Sequence, residues 1–292
     1  MSTAKRVVHP VPAEIPPTRR PKVSAADPSS TARKTVEILE VLANSSGSVG
    51  LNELSRHLKS SRSSVVRIIS ALEKAGLIRR DPDTRRVSLT FRLLALGSAA
   101  LDQLPWYSLC KPHLAALSKD LGEIGHLAVL DGCEIVYLAK SEPSDPPPFV
   151  AHVGGRASAY CTSLGKVLLA AKSAAELEAH MRQCPLVART ARSITDPVAM
   201  VRELELVRRR GYAVDNEENR QGVKCVGVGI VDYRGVTVAA MSVAVPAYRL
   251  PDRAIPALAA KIRDGAAGAS RDLGSLMPVS TNAKANRASW GG

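Results

Sequence analysis

The chain has 292 residues, 45% of them hydrophobic, which is enough for two domains with real cores, and no run of 18 apolar residues is present to cross a membrane. Five scattered cysteines (Cys110, Cys133, Cys161, Cys184, Cys225) form no CxxC pair, and the basic, proline-broken start MSTAKRVVHPVPAEIPPTRRPK lacks the apolar middle of a secretory signal; reduced thiols in a cytoplasmic protein are expected, not disulfides or zinc. The net charge of +13 is uneven: residues 1–93 hold 17 Lys+Arg against 8 Asp+Glu, as a polyanion-binding module joined to a more neutral domain would.

Residues 1–30 are rich in Pro, Ser and Arg and read as a disordered basic arm. From Thr31 the period becomes helical. ARKTVEILEVLANSSG places Val36, Ile38, Leu39 and Leu42 on one side, and LNELSRHLKS follows with Leu51, Leu54 and Leu58. A break at Lys59–Ser61 precedes a third helix with Val65, Ile68, Ile69 and Leu72 behind it and Gly76 as its stop. LIRRDPDTRRVSLT then reads as two strands around the turn Asp81-Pro82-Asp83-Thr84. Three helices and a hairpin describe a winged helix-turn-helix over 31–92.

FRLLALGSAALDQL reads as a linker helix (93–104), and PWYSLCKPHLAALSKDLG as another helix. After Gly122 the period changes to two, with a hairpin turn at Asp131-Gly132, a proline cluster at Pro143–Pro148 and a short strand expected at Phe149–Val153. Helices are expected from Thr162, over Ser173–Arg182 and from Asp196-Pro197 to Arg210. Strands follow at Tyr212–Asp215, Val223–Asp232 and Val236–Pro246, then a helix over Asp252–Leu273 and a disordered tail, 275–292. The region 105–274 is thus an antiparallel sheet with helices, and the whole chain is of the α+β class.

The third helix carries the chemistry of the first domain. A helix N-terminus welcomes phosphate, and Ser63 and Ser64, with Ser61 before them, are short hydroxyls that let it enter a major groove. Arg62 and Arg67 fork onto guanine or phosphate, and Val66 could touch a thymine methyl. Arg80, Arg85 and Arg86, with Arg79, flank the hairpin turn and would reach the DNA backbone or minor groove. Double-stranded operator DNA is the expected partner.

Three segments, in order along the chain, resemble the IclR-type bacterial transcriptional regulators. RSSVVRIISALEKAGLIRRDPDTRRVSLTFRLLALG is similar to their recognition helix, wing and linker. AYCTSLGKVLLA is similar to the segment that opens their effector pocket. GYAVDNEENRQGVKCVGVGIVD is similar to their C-terminal signature, from which Val231 departs. The resemblance implies a GAF-like effector-binding domain, a small-molecule effector, a homo-oligomer (dimer or tetramer), and pocket positions at Ser163, Leu164, Asp215 and Cys225. The residues agree in part: Thr162 and Ser163 sit at a helix start, a natural carboxylate receiver, and Asp215 and Cys225 lie on adjacent strands. AYCTSLGKVLLA is most similar to members that sense aromatic acids of catabolic pathways, so a small organic acid is the expected effector. No cofactor, metal or membrane partner is expected. SLGKVLL lacks the Gly-rich lead of a phosphate loop, and VGVGIVD opens no helix. The six His have no metal-ligand spacing, and His126 and His152 read as satisfied sheet residues. An enzyme with Cys161 or Cys225 as nucleophile finds no local motif. A regulator whose sensor domain binds no ligand and serves only assembly stays open.

Overall fold

The computed structural model describes residues 30–144 and 151–274, which divide into two compact units between Leu109 and Cys110. The arm expected over 1–30, Ser30 excepted, and the tail expected over 275–292 lie outside the described residues.

The first unit packs α1 (Ser30–Ala43), α2 (Leu51–His57) and α3 (Arg62–Lys74) around Ile38, Leu42, Leu54, Val65, Ile69 and Ile78. Val36, expected in that core, is 46% exposed, because the buried stripe follows Ile38 and Leu42. The α3 backbone is released at Gly76, whose φ of +70° an L side chain would strain. Strands β1 (Ile78–Arg80) and β2 (Val87–Leu89) form the antiparallel wing, and Val49 adds an isolated antiparallel bridge to Val87. Asp81 closes the turn between them as an acceptor: its Oδ1 takes the Thr84 N–H at 2.7 Å and the Asp83 N–H at 3.2 Å. Helix α4 (Arg92–Asp102) then buries none of its residues.

The second unit is built on a six-stranded antiparallel sheet. It begins within α5 (Pro105–Leu121), from Cys110 on, followed by β3 (Ile124–Asp131), β4 (Glu134–Ser141), β5 (Arg156–Ser158), α6 (Ser163–Ala170) and α7 (Ala174–Gln183). It continues with α8 (Pro197–Arg210), β6 (Ala213–Asn216), β7 (Val223–Val231), β8 (Thr237–Pro246) and α9 (Ile255–Asp272), in sheet order β5-β4-β3-β8-β7-β6. The short strand expected at Phe149–Val153 forms instead at Arg156–Ser158; Phe149 and Val150 lie outside the described residues. Alternation of side chains assigns the two faces. Leu127 and Met241 face α5 and α9: Gly125 lets Leu114 approach, and Gly265 sits by Leu117 and Met241. The opposite face, with Ile124, His126 and Ala128 from β3 and Cys225 and Gly227 from β7, takes α6.

The expectation of five reduced thiols is corrected. Cys133, in the β3–β4 turn, is bonded to Cys184 at the end of α7, with Cα atoms 5.4 Å apart. Their separation of 51 residues hid the pairing, which only the fold creates. Closing a loop of that length stabilises the folded unit by about 2–4 kcal/mol. We therefore expect Cys184→Ser to lower the urea unfolding free energy of the second unit by about that amount. Dithiothreitol should do the same to the wild type and nothing further to the variant.

Candidate DNA-reading helix and ligand-binding face

In the first unit, Ser61 is the N-cap of α3: its hydroxyl accepts from the Ser64 N–H and lies 3.2 Å from the Ser63 hydroxyl. Arg62, Ser63 and Arg67 are exposed, Ser64 and Val66 are half-buried, and Val65, Ile68, Ile69 and Leu72 are buried. The i, i+4 pairs Arg62–Val66 and Ser63–Arg67 therefore form two adjacent columns on one open face. Arg62 and Arg67 have no ion-pair partner among the described residues.

The wing arginines separate into two kinds. Arg85 is exposed at the turn with φ +58°. Arg80 turns back instead: its side chain is 14% exposed and its guanidinium lies 3.5 Å from Glu73 of α3. Arg86 braces the wing, donating from Nε to the Ser48 carbonyl at 3.0 Å and to the Ser48 hydroxyl at 3.1 Å, with Nη2 also on that carbonyl. Of these two wing arginines expected to reach DNA, Arg80 is the one turned inward, its Nε and Nη2 buried without a hydrogen-bond partner among the described residues, while Arg86 keeps 46% of its side chain exposed beside its contacts to Ser48.

In the second unit, α6 starts against the sheet. The Thr162 hydroxyl caps it by accepting from the Gly165 N–H at 3.1 Å, so Thr162 is occupied as a cap. Leu164, 2% exposed, belongs to the apolar core. Ser163 is 1% exposed, and its Oγ has no hydrogen-bond partner among the described residues. It lies over Gly227, where a Cβ would come within 3.1 Å of that oxygen. Asp215 and Cys225 are directly paired across β6 and β7. Asp215 is 2% exposed, and its Oδ1 accepts from Glu218 N–H at 2.8 Å and Asn219 N–H at 3.3 Å. Burial, with the Glu218 carboxylate beside it, raises its carboxyl to about 7.

Cys225 and Tyr137 of β4 are half-buried on this face. Tyr160 donates to the Val187 carbonyl and so holds the segment after α7 over this face. Cys161 lies 3.7 Å from Asn219 Oδ1, and burial pushes its thiol up to about 12. Burial raises the Cys225 thiol as well, so neither is a thiolate at neutral pH.

Two residues went unrecognised in the sequence. Arg189 has a buried Nε without a partner, and its charge is felt by Tyr137, Tyr160 and Cys161. His126 is 5% exposed, and its Nε2 also lacks a partner, which corrects its reading as a satisfied sheet residue. Its ring meets Tyr137 at 5.2 Å between centroids. A cleft of about 540 Å³ at the outer edge of β6 is a different feature, lined by Arg192, Glu203, Arg210 and Glu218. Its charges are largely matched internally, with Arg210 on Glu203 at 2.9 Å and Arg192 on Glu217 at 3.4 Å. Among the described residues no group of His, Cys, Asp and Glu is arranged to hold a metal ion, and no helix is long and apolar enough to cross a membrane.

A winged helix with an open basic recognition face, joined to an α+β unit, is the layout of a bacterial DNA-binding transcriptional regulator. The chain belongs to the IclR family: residues 31–82 match the IclR helix-turn-helix domain and residues 98–271 match the bacterial transcriptional regulator IclR C-terminal domain. It is 29% identical over 248 residues to the HTH-type transcriptional regulator KdgR of Escherichia coli, covering 85% of this chain and 94% of that one. Among solved structures it is similar to the Thermotoga maritima IclR, at 34% identity, a TM-score of 0.70, and coverage of 84% of this chain and 98% of that one. The fold is also shared with an IclR homolog of Microbacterium hydrocarbonoxydans complexed with 4-hydroxybenzoate, at 24% identity, a TM-score of 0.72, and coverage of 84% and 99%.

The Asp215 carboxyl sets a pH dependence whose sign is fixed. Near pH 4 it is protonated in the folded chain and still half-protonated when unfolded, so it costs little. As pH rises to about 7 the unfolded chain ionises it while the folded one resists, and stability falls. Above that the penalty, about 2–4 kcal/mol, is complete. Asp215→Asn keeps an oxygen for the two N–H groups and removes the charge. Its unfolding free energy should match wild type at pH 4 and exceed it by about that margin at pH 8. A difference independent of pH would contradict the assignment.

Proposed function

We propose that this regulator's affinity for its operator is set by a small organic acid bound on the α6 face of the sheet. The observation that carries this reading is the set of buried polar atoms left without protein partners there, Ser163 Oγ and Arg189 Nε. Leaving such atoms unpaired costs about 1–3 kcal/mol each, a cost that a bound carboxylate would offset. Helix α6 adds its free N–H groups at the same end. Asp215 contributes by remaining largely protonated below pH 7, where it does not repel an anion. Aromatic acids are the effector class that fits the sequence resemblance, and 4-hydroxybenzoate is the first probe to use.

The protein would act in the cytoplasm as a homodimer or tetramer. Support for assembly comes from α4, where Phe91 before it and Leu94 and Leu96 within it are 88%, 70% and 56% exposed. An apolar helix surface of this kind is stable in water when a second copy covers it. Leu94→Asp should convert the wild-type assembly to monomer in sedimentation velocity; a wild type that is monomeric at all concentrations rejects the assembly.

On DNA, Arg62 and Arg67 are the candidate base readers, with Ser63, Ser64 and Val66 completing the face, and Arg85 a phosphate contact. Arg67→Ala should cost about 1–3 kcal/mol of operator binding. Arg85→Ala should weaken all duplexes alike and reduce the salt slope by about one. Gel-shift titration across salt separates the two. Effector and operator must shift each other's affinity by the same factor, a coupling of about 1–3 kcal/mol. Calorimetry with and without a short operator duplex tests that reciprocity, and unequal factors exclude a shared equilibrium.

A further inference from the structure

His126 stands in a polar rung of the sheet face that α6 covers. In register along that rung lie Gly227 of β7, Ser242 of β8, His126 of β3 and Lys140 of β4. Ser163 covers the Gly227 end. Two orphaned atoms therefore sit on one line of the sheet, Ser163 Oγ and His126 Nε2, each on a residue more than nine-tenths buried. Their supporting strands are two spacings apart, about 10 Å. The next rung, with Asp215, Cys225, Ala244 and Ile124 paired in sequence, flanks the line, and Tyr137 packs its ring at 5.2 Å from that of His126.

An apolar side chain at position 126 would serve the sheet better than an imidazole with a buried, unpaired nitrogen. The charge around it limits what the imidazole can receive. The groups facing it are Lys140, Ser242 and Tyr137. The Lys140 ammonium is already neutralised by Glu142 at 2.6 Å. Burial, followed by the Lys140 charge, holds the imidazole neutral down to about pH 4. A second carboxylate arriving there would meet no free positive charge. A hydroxyl or carbonyl oxygen would meet a neutral ring able to donate one hydrogen bond or accept one.

We propose that His126 determines effector specificity by hydrogen-bonding a hydroxyl or carbonyl oxygen at the end of the ligand remote from its carboxylate. The effector class is then a hydroxy- or oxo-monocarboxylic acid, in preference to a plain acid or a dicarboxylic acid. This rests on the reading of the α6 face as the effector site. A ligand reading of this kind discriminates strongly, because the analogue lacking the oxygen leaves the buried nitrogen unpaired.

The test uses the full-length protein, His126→Leu, His126→Gln and Ser163→Ala. Matched probes are 4-hydroxybenzoate against benzoate, 4-hydroxybutyrate against butyrate and 4-oxopentanoate against pentanoate, with terephthalate and succinate as diacids. Without any ligand, His126→Leu should unfold at or above the wild-type temperature. In calorimetry the wild type should favour at least one hydroxy or oxo acid tenfold or more over its plain partner and over the diacids. His126→Leu should erase that preference while still binding the plain acid, and His126→Gln should restore part of it. Ser163→Ala should weaken both members of the pair. A ligand-free His126→Leu that is less stable than wild type, or one that keeps the preference, overturns the role of His126. Equal binding of both partners by wild type overturns it too, and in each of these cases the effector site stands. A wild type that binds none of the probes removes the site, and this inference with it.

Discussion

The Lys166 ammonium, 1% exposed inside the second unit, governs how the surrounding elements must be placed. It donates to the Val214 carbonyl at 2.9 Å and to Glu218 Oε1 at 2.5 Å, with Glu203 at 3.7 Å. A buried charge of this kind is tolerated only with such partners, and removing one typically costs about 3–5 kcal/mol. The pairing requires α6 to lie flat on the sheet and the β6–β7 loop to fold over its side. Asp215 then turns its carboxylate onto the Glu218 and Asn219 N–H groups, and Asn219 meets Cys161. The placement of Asp215 and of the start of α6 is thus tied to this one buried ion pair. The sequence around Lys166, a lone Lys in the apolar run SLGKVLLA, was the signal that a charge had to be met inside.

The first unit solves a different electrostatic problem. It must offer positive charge without letting its own acids consume it. Arg80, beside Glu73, is drawn into the fold, while Arg86, near Glu53 and bonded to Ser48, keeps 46% of its side chain exposed. The arginines on the front of α3 and at the wing tip remain exposed. Basic residues adjacent in sequence, such as Arg85 and Arg86, therefore have unlike tasks: one points away from the unit and the other fastens the wing to Ser48.

What could be read in advance follows a physical division. Periodicity located α1 to α3, the Gly76 stop, the wing and the long strands, because amphipathic spacing and turn chemistry are local. The Asp196 cap and the Gly211 exit of α8, with φ +75°, were legible for the same reason. Features set by proximity between distant residues were not. His126 could not be distinguished from an ordinary sheet histidine until register placed it on one rung with Gly227 and the overlying Ser163. Cys133 and Cys184 gave no spacing signal, and Arg189 lies in an irregular segment where no period marks a buried side chain. The Thr162 hydroxyl caps α6 at the helix start where the sequence placed it.

The corner before α6 has a consequence for how such a protein can diverge. A Cβ at Gly165 would land on the Ala159 backbone, and one at Gly227 would crowd the Ser163 main chain at 3.0 Å. Neither contact is with a flexible side chain that can step aside. A side chain at either position therefore meets main chain, severely at Gly165 and by a few tenths of an ångström at Gly227. Under the proposed reading of this face, a change of ligand preference would fall to side chains outside the corner, such as those at 126, 137, 189 and 225.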